Sequence, residues 1–184
     1  MHKLNTITLK AMNLDHVLLV MFDICYLTLG IPIISSLLYG NRFDVLMPLL
    51  LACLFFFGNA IPGLVIYFTY LARDVHKKVW IKNMDSVIEY KVKDGRYGSY
   101  PFSEVTEINF YLSPFHYNSR FGLRFSFHSY SYAVITFSDN FSLVVTNLIT
   151  DNLEEVFSEV DATKTRHEVF YPIISSKTLT HSVV

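Results

Sequence analysis

Residues 45–72 read VLMPLLLACLFFFGNAIPGLVIYFTYLA: 28 positions without a charge, ended by Arg73. About 20 apolar residues cross the hydrocarbon core of a bilayer as a helix, so this run predicts a membrane-spanning helix. A buried helix of a soluble protein usually keeps one polar face, and this run has none. Pro48 falls in the first turn, where a proline is tolerated because its missing N–H would have no helical partner anyway.

Working back toward the N-terminus, residues 39–44, YGNRFD, form the only polar break before a second apolar run at 17–39. Asp23 interrupts that run, but 24–41 carries no charge and spans 18 residues, just enough to cross. Pro32 lies inside it and would kink the helix. A break this short joins antiparallel helices, so residues 1–72 predict an N-terminal tail and a transmembrane hairpin with helices at about 17–39 and 45–72. Lys3 and Lys10 precede the first helix; Arg73, Lys77, Lys78 and Lys82 follow the second; the turn between them has only Arg42 beside Asp44. The positive-inside rule then puts both termini in the cytoplasm of a multi-pass protein of the cell (inner) membrane. Tyr67 and Tyr70 are expected in the aromatic belt at the cytoplasmic boundary. The leading residues MHKLNTITLKAMNLD are polar and lack a small-residue cleavage site, so the first segment is expected to stay attached.

Asp23 and Asn59 form a candidate intramembrane polar pair. Asp23 precedes Tyr39 by 16 residues and Asn59 follows Val45 by 14, which sets them about 24 and 21 Å from the turn. Pro62 leaves the carbonyl of Gly58 without its helical donor, and Asn59 or a protonated Asp23 could supply one. The expected role is a hydrogen-bonded staple between the helices.

Beyond Arg73 the period changes from helical to alternating. Ile88, Tyr90 and Val92 alternate with Glu89, Lys91 and Lys93 up to a turn signal at Asp94-Gly95. Further strands are predicted at 79–82, 99–102 and 108–112. Phe121, Leu123, Phe125 and Phe127 predict another within 121–128. Ala133, Ile135 and Phe137 run to a second turn at Asp139-Asn140, and Phe141, Leu143 and Val145 return. Leu153, Val156, Phe157 and Val160 then make one helical stripe, with Asp151 as the expected N-cap and Glu154 completing a capping box. The cytoplasmic domain is thus predicted at 73–162, mainly β with one helix (α+β): about seven antiparallel strands closed by a C-terminal helix. Residues 163–184 are expected to form a tail, disordered in part, with 169–174 able to add a strand or dock.

Four segments carry a resemblance: residues 100–108, YPFSEVTEI; residues 133–139, AVITFSD; residues 141–148, FSLVVTNL; and the helix at 151–160. Together they resemble the pleckstrin-homology (PH) superfold over roughly 77–160, and are similar to bacterial PH-like domains. Such domains are often found beside transmembrane hairpins in small bacterial membrane proteins. The resemblance implies a membrane-anchored binding or scaffold module docking a protein partner at the cytoplasmic face. Lys91, Lys93 and Arg96 do not match the spacing of the lysine–arginine motif that grips inositol phosphates in eukaryotic members, so that activity is not implied. A general attraction to anionic headgroups remains open.

Other chemistry finds little support. A formal net charge of −1 argues against nucleic-acid binding, which wants a basic face. Cys25, Cys53 and the seven histidines show no metal-ligand spacing, and no cofactor motif is present. His116, Ser119, His128, Ser129 and Asp139 share a region without a reason to converge as a catalytic set, and an enzyme is not expected. The richest soluble stretch is 112–132, LSPFHYNSRFGLRFSFHSYSY. Phe115, Tyr117, Arg120, Arg124, Tyr130 and Tyr132 are its candidate partner or membrane-interface contacts, because exposed aromatics beside arginines suit an interface. The alternative function is an accessory or assembly subunit of a larger membrane complex, the hairpin being its interface; a membrane hydrolase ranks last.

Overall fold

The computed structural model describes residues 5–7, 30, 33, 34, 36, 50, 53, 54, 56–92, 95–118, 125–150 and 152–174. Its strands are β1 (Asn5–Ile7), β2 (Lys78–Lys82), β3 (Val87–Lys91), β4 (Tyr97–Pro101), β5 (Val105–Leu112), β6 (Ser131–Phe137), β7 (Ser142–Thr146) and β8 (Thr163–Glu168). They make two four-stranded sheets, ordered β1-β2-β3-β4 and β7-β6-β5-β8. Every pairing is antiparallel except β5 with β8. The helices are α1 (Ile61–Asp74), α2 (Pro114–Asn118) and α3 (Leu153–Val156).

The first sheet follows from alternation. Val79 faces Tyr90 and Ile81 faces Ile88 across β2 and β3, and all four are buried. The β3–β4 turn contains Gly95 at φ +83, a left-handed backbone that glycine adopts without a Cβ penalty. Gly98 lies under the Tyr90 ring, which a Cβ there would strike. That close approach lets Tyr90, Tyr100 and Phe141 stack. The segment YPFSE then carries the chain from one sheet to the other: Phe102–Glu104 is a 3-10 turn, its Phe102 buried and tied through N–H to the Ser86 carbonyl at 2.7 Å.

The main core lies between the sheets. Ile108, Phe110 and Leu112 of β5, Ala133, Ile135 and Phe137 of β6, and Leu143 and Val145 of β7 meet the first sheet there. The stripe expected after Asn152 closes it, with Leu153, Phe157 and Val160 buried. The second sheet is covered on its other face too. Tyr132 and Val134 of β6 and Val144 of β7 pack against Ile66, Tyr67 and Tyr70 of α1. A strand buried on both faces reads as a continuous apolar run, and residues 132–135, YAVI, are one.

Several expectations are corrected. The expected first domain, 1–72, contributes to the β fold: β1 pairs with β2, Ile7 opposite Val79, and α1 covers the second sheet. Tyr67 and Tyr70 are not in an exposed belt but buried, the Tyr70 ring edge-on to Tyr130 and Tyr132. Within the strand expected at 121–128, Ser126–Ser129 is a 3-10 turn, because Phe127 turns into the α1 cluster instead of pairing; 121–124 lie outside the described residues. The expected tail beginning at 163 opens with β8. That strand is polar, TKTRHE, and held by parallel pairing to β5, so no apolar alternation marks it. The closing helix expected at 151–160 is helical only over Leu153–Val156, as α3; its cap is the side chain of Asn152, which accepts from the Glu155 N–H at 3.3 Å, and Asp151 lies outside the described residues.

In the expected hairpin, Ile33, Ile34, Ser36, Cys53 and Leu54 have helical backbone and are exposed. Apart from Gly30 and Leu50, the rest of 17–39, the turn 40–44 and most of 45–55 lie outside the described residues, as do Asp94 and the tail 175–184. Among the described residues no helix is long and apolar enough to cross a membrane. Before α1, Phe56–Ala60 is a π-helical turn. Pro62, at the start of α1, cannot donate back into the helix, and a wide turn is one way a helix accommodates that defect.

The β6–β7 turn carries a pH prediction. Asp139 accepts the Phe141 N–H at 2.9 Å and the Tyr100 hydroxyl at 2.8 Å. The Phe141 amide first, and the Tyr100 hydroxyl second, hold its carboxyl below the ordinary 3.8. The turn therefore favours the carboxylate. Its contribution is complete above pH about 4 and is lost as pH falls through the lowered value. Thermal unfolding between pH 5 and 3 should fall less steeply in Asp139→Asn than in the parent chain; equal slopes would sink this account.

Candidate functional site

The six aromatic and basic candidates do not form one surface. Phe115 and Tyr117 lie in α2 and are half-buried, with Tyr117 packed on the main core. The Arg166 guanidinium of β8 sits 5.2 Å from the centre of the Tyr117 ring and pairs with Glu154 at 2.8 Å. Tyr130 and Tyr132 are buried under α1. Burial raises the Tyr130 phenol above its ordinary value. These two tyrosines are withdrawn as surface contacts, because the helix expected to stand apart packs on them. Arg120 and Arg124 lie outside the described residues.

The loop that carries these side chains is pinned at both ends. Ser113 Oγ donates to the His128 carbonyl at 2.6 Å. Asn147 Nδ2 donates to the Ser129 carbonyl at 2.6 Å, and its Oδ1 accepts the Ser131 N–H at 3.2 Å. The 3-10 turn Ser126–Ser129 is thereby laid along α1 and as far as the π-helical turn Phe56–Ala60. Asn59 is buried in that turn; its expected partner Asp23 lies outside the described residues.

A second feature is a buried polar joint where α1 ends. Asp74 is fully buried, 3.1 Å from Lys77 Nζ, and accepts a short hydrogen bond from Thr146 Oγ1. Lys77 Nζ also donates to the Val144 carbonyl at 2.9 Å, and Thr146 Oγ1 accepts the Leu148 N–H at 3.2 Å. Both charges are thus compensated away from water, the condition under which a buried pair is tolerated. The joint ties the last turn of α1 to the edge strand β7. The sequence offered only the spacing of Asp74 and Lys77; Thr146 is 72 residues away, and alternation alone would have left it on a solvent face.

Among the described residues, most of the exposed large apolar side chains lie in two places. One is the outer side of the apolar runs: Leu54 at 67%, Phe57 at 64%, Phe68 at 59% and Ile33 at 57% exposure. The other is the segment after β8, where Phe170, Tyr171 and Ile173 are exposed around a buried Pro172. Among the described residues no group of His, Cys, Asp or Glu could hold a metal ion.

Two sheets around one core, joined through YPFSE and shut by the 153–160 stripe, define a small β domain of the kind that serves as a binding module. The family model described as "PH domain" matches residues 6–155. The chain belongs to that family, whose members commonly bind lipids or proteins. The match takes in most of β1, the apolar runs and strands β2 to β7, and ends before β8. Among curated proteins and solved structures nothing matches the chain.

Proposed function

We propose that this chain is a membrane-anchored PH module that docks a protein partner at the cytoplasmic face of the cell membrane. A two-helix hairpin, at about 17–39 and 45–72, is its anchor. The observation that carries this reading is the apolar exposure along both runs: Ile33, Ile34, Leu50, Leu54, Phe57, Val65 and Phe68. Water disfavours a patch of that kind, and contiguous exposed apolar surface marks a membrane or partner contact. The sheet supports the hairpin independently. The chain leaves β1 at Ile7 and re-enters the same sheet at Lys78, so the segment between them starts and ends on one side. An even number of crossings meets that condition, and the lysines and arginines beyond Ala72 favour the cytoplasmic side. The module carries no catalytic function in this reading.

The second reading, an accessory subunit of a larger membrane complex, rests on the same exposed helical faces, which could meet other helices instead of lipid. Topology is tested with single cysteines in a background lacking Cys25 and Cys53. An impermeant thiol reagent applied to intact cells should label a cysteine at Asn41 and spare one at Ser176. The reverse pattern rejects the orientation, and release of the chain by alkaline extraction rejects the anchor. Crosslinks mapping to the β domain favour the docking module; crosslinks mapping to the two runs favour the subunit.

A further inference from the structure

We propose that Phe170, Tyr171 and Ile173 form a lipid-facing contact that seats the β domain against the interfacial zone of the bilayer. This rests on the reading of 45–72 as a membrane segment. The segment is placed by its neighbours. Pro172 is buried and its carbonyl accepts the Tyr70 hydroxyl of α1 at 2.6 Å; Ile174 is buried in the α1 cluster. These two anchors turn Phe170, Tyr171 and Ile173 outward, at 54, 38 and 46% exposure. The Phe170 and Tyr171 rings lie 5.3 and 4.7 Å from Phe127, so they extend the aromatic turn that runs along the helix.

Length sets the depth. The 28-residue run is about 42 Å long as a helix, against a hydrocarbon core of about 30 Å. Counted from the turn end, the core is crossed at about Val65. The excess is the part of α1 that docks on the second sheet, through Ile66, Tyr67 and Tyr70. Tyr70 and Pro172 then stand about 7 Å beyond the hydrocarbon, in the headgroup layer. On the same helix Val65 and Phe68, on the side away from the sheet, are exposed and apolar. The 3-10 turn reaching back toward the π-helical turn carries Ser126, Phe127, His128 and Ser129, with no acidic or Lys/Arg side chain to oppose entry. Aromatic and aliphatic side chains at this depth are typical of interfacial contacts.

The test uses the full chain in liposomes with Trp80, its single tryptophan, replaced by phenylalanine. One tryptophan is then introduced at a time: Phe170→Trp, Tyr171→Trp, Ile173→Trp, Leu54→Trp in the run, and Met84→Trp in the exposed β2–β3 turn. Lipids brominated near the headgroup or deep in the acyl chain report depth by quenching. The expected result is a blue-shifted emission quenched by the shallow lipid at 170, 171 and 173. Position 54 should respond to the deep lipid, and 84 to neither. Quenching at 54 with none at 170–173 overturns the contact and leaves the anchor standing. No quenching at either place overturns the anchor itself. Blue-shifted emission at 170–173 without quenching, reversed by dilution of protein in lipid, assigns the face to a second copy of the chain and overturns the lipid contact.

Discussion

Asp74→Ala is expected to destabilise the protein by about 3–5 kcal/mol, the range for breaking a buried ion pair. The reason is what remains behind. Lys77 would keep its Val144 carbonyl but lose the carboxylate 3.1 Å away, leaving a charge 9% exposed without compensation. Thr146 Oγ1 would lose its acceptor in a site with no access to water. Unfolding of the full chain in detergent, followed by near-ultraviolet dichroism, measures the loss. The joint double variant Asp74→Leu with Lys77→Met removes both charges while keeping apolar volume, and should recover most of the stability. A loss below about 1 kcal/mol for Asp74→Ala would equal that of an exposed pair and would refute the buried joint. The joint bears on function because it locks α1, and with it the proposed anchor, to strand β7.

Phe157→Ala should cost a comparable amount, about 3–5 kcal/mol. Phe157 is fully buried and closes the main core from the end of α3. α3 has four residues, too few to relax and fill the void by shifting as a unit, so the cavity term is expected to add fully to the lost transfer energy. Val156→Ala, on the partly exposed side of the same turn, serves as the comparison and should cost much less. Chemical unfolding of the two variants decides: equal losses would mean that the closing stripe is not packed as described.

The strands were legible wherever one face is buried and the other wet. The alternation at 88–92, 108–112 and 133–137 located β3, β5 and β6, and Gly95 and Asn140, at φ +83 and +64, stand where the turn signals put them. The 153–160 stripe located the closing element, because i, i+3, i+4 spacing reports a one-sided helix regardless of its partner. The YPFSE step, read as a resemblance, is the crossing between sheets.

Other parts were decided only by tertiary structure. β8 has no apolar period, since an edge strand can be held by backbone pairing to β5 while its side chains face water. His167 adds side-chain contacts to that pairing: it meets Asn109 at 3.0 Å and stacks on Tyr111 at 4.8 Å, contacts that sequence spacing does not contain. β1 pairs with a strand more than 70 residues away, and three residues carry too little pattern to announce it. The largest revision concerns α1. An apolar helical face reads the same whether lipid or a sheet covers it, because the hydrophobic effect is non-directional. The sequence alone marked 45–72 as an uncharged apolar run, of which 61–72 is seen as α1. Only the packed structure could assign its last turns, Tyr67 and Tyr70 with them, to the second sheet, because that depends on which distant side chains fill the same space.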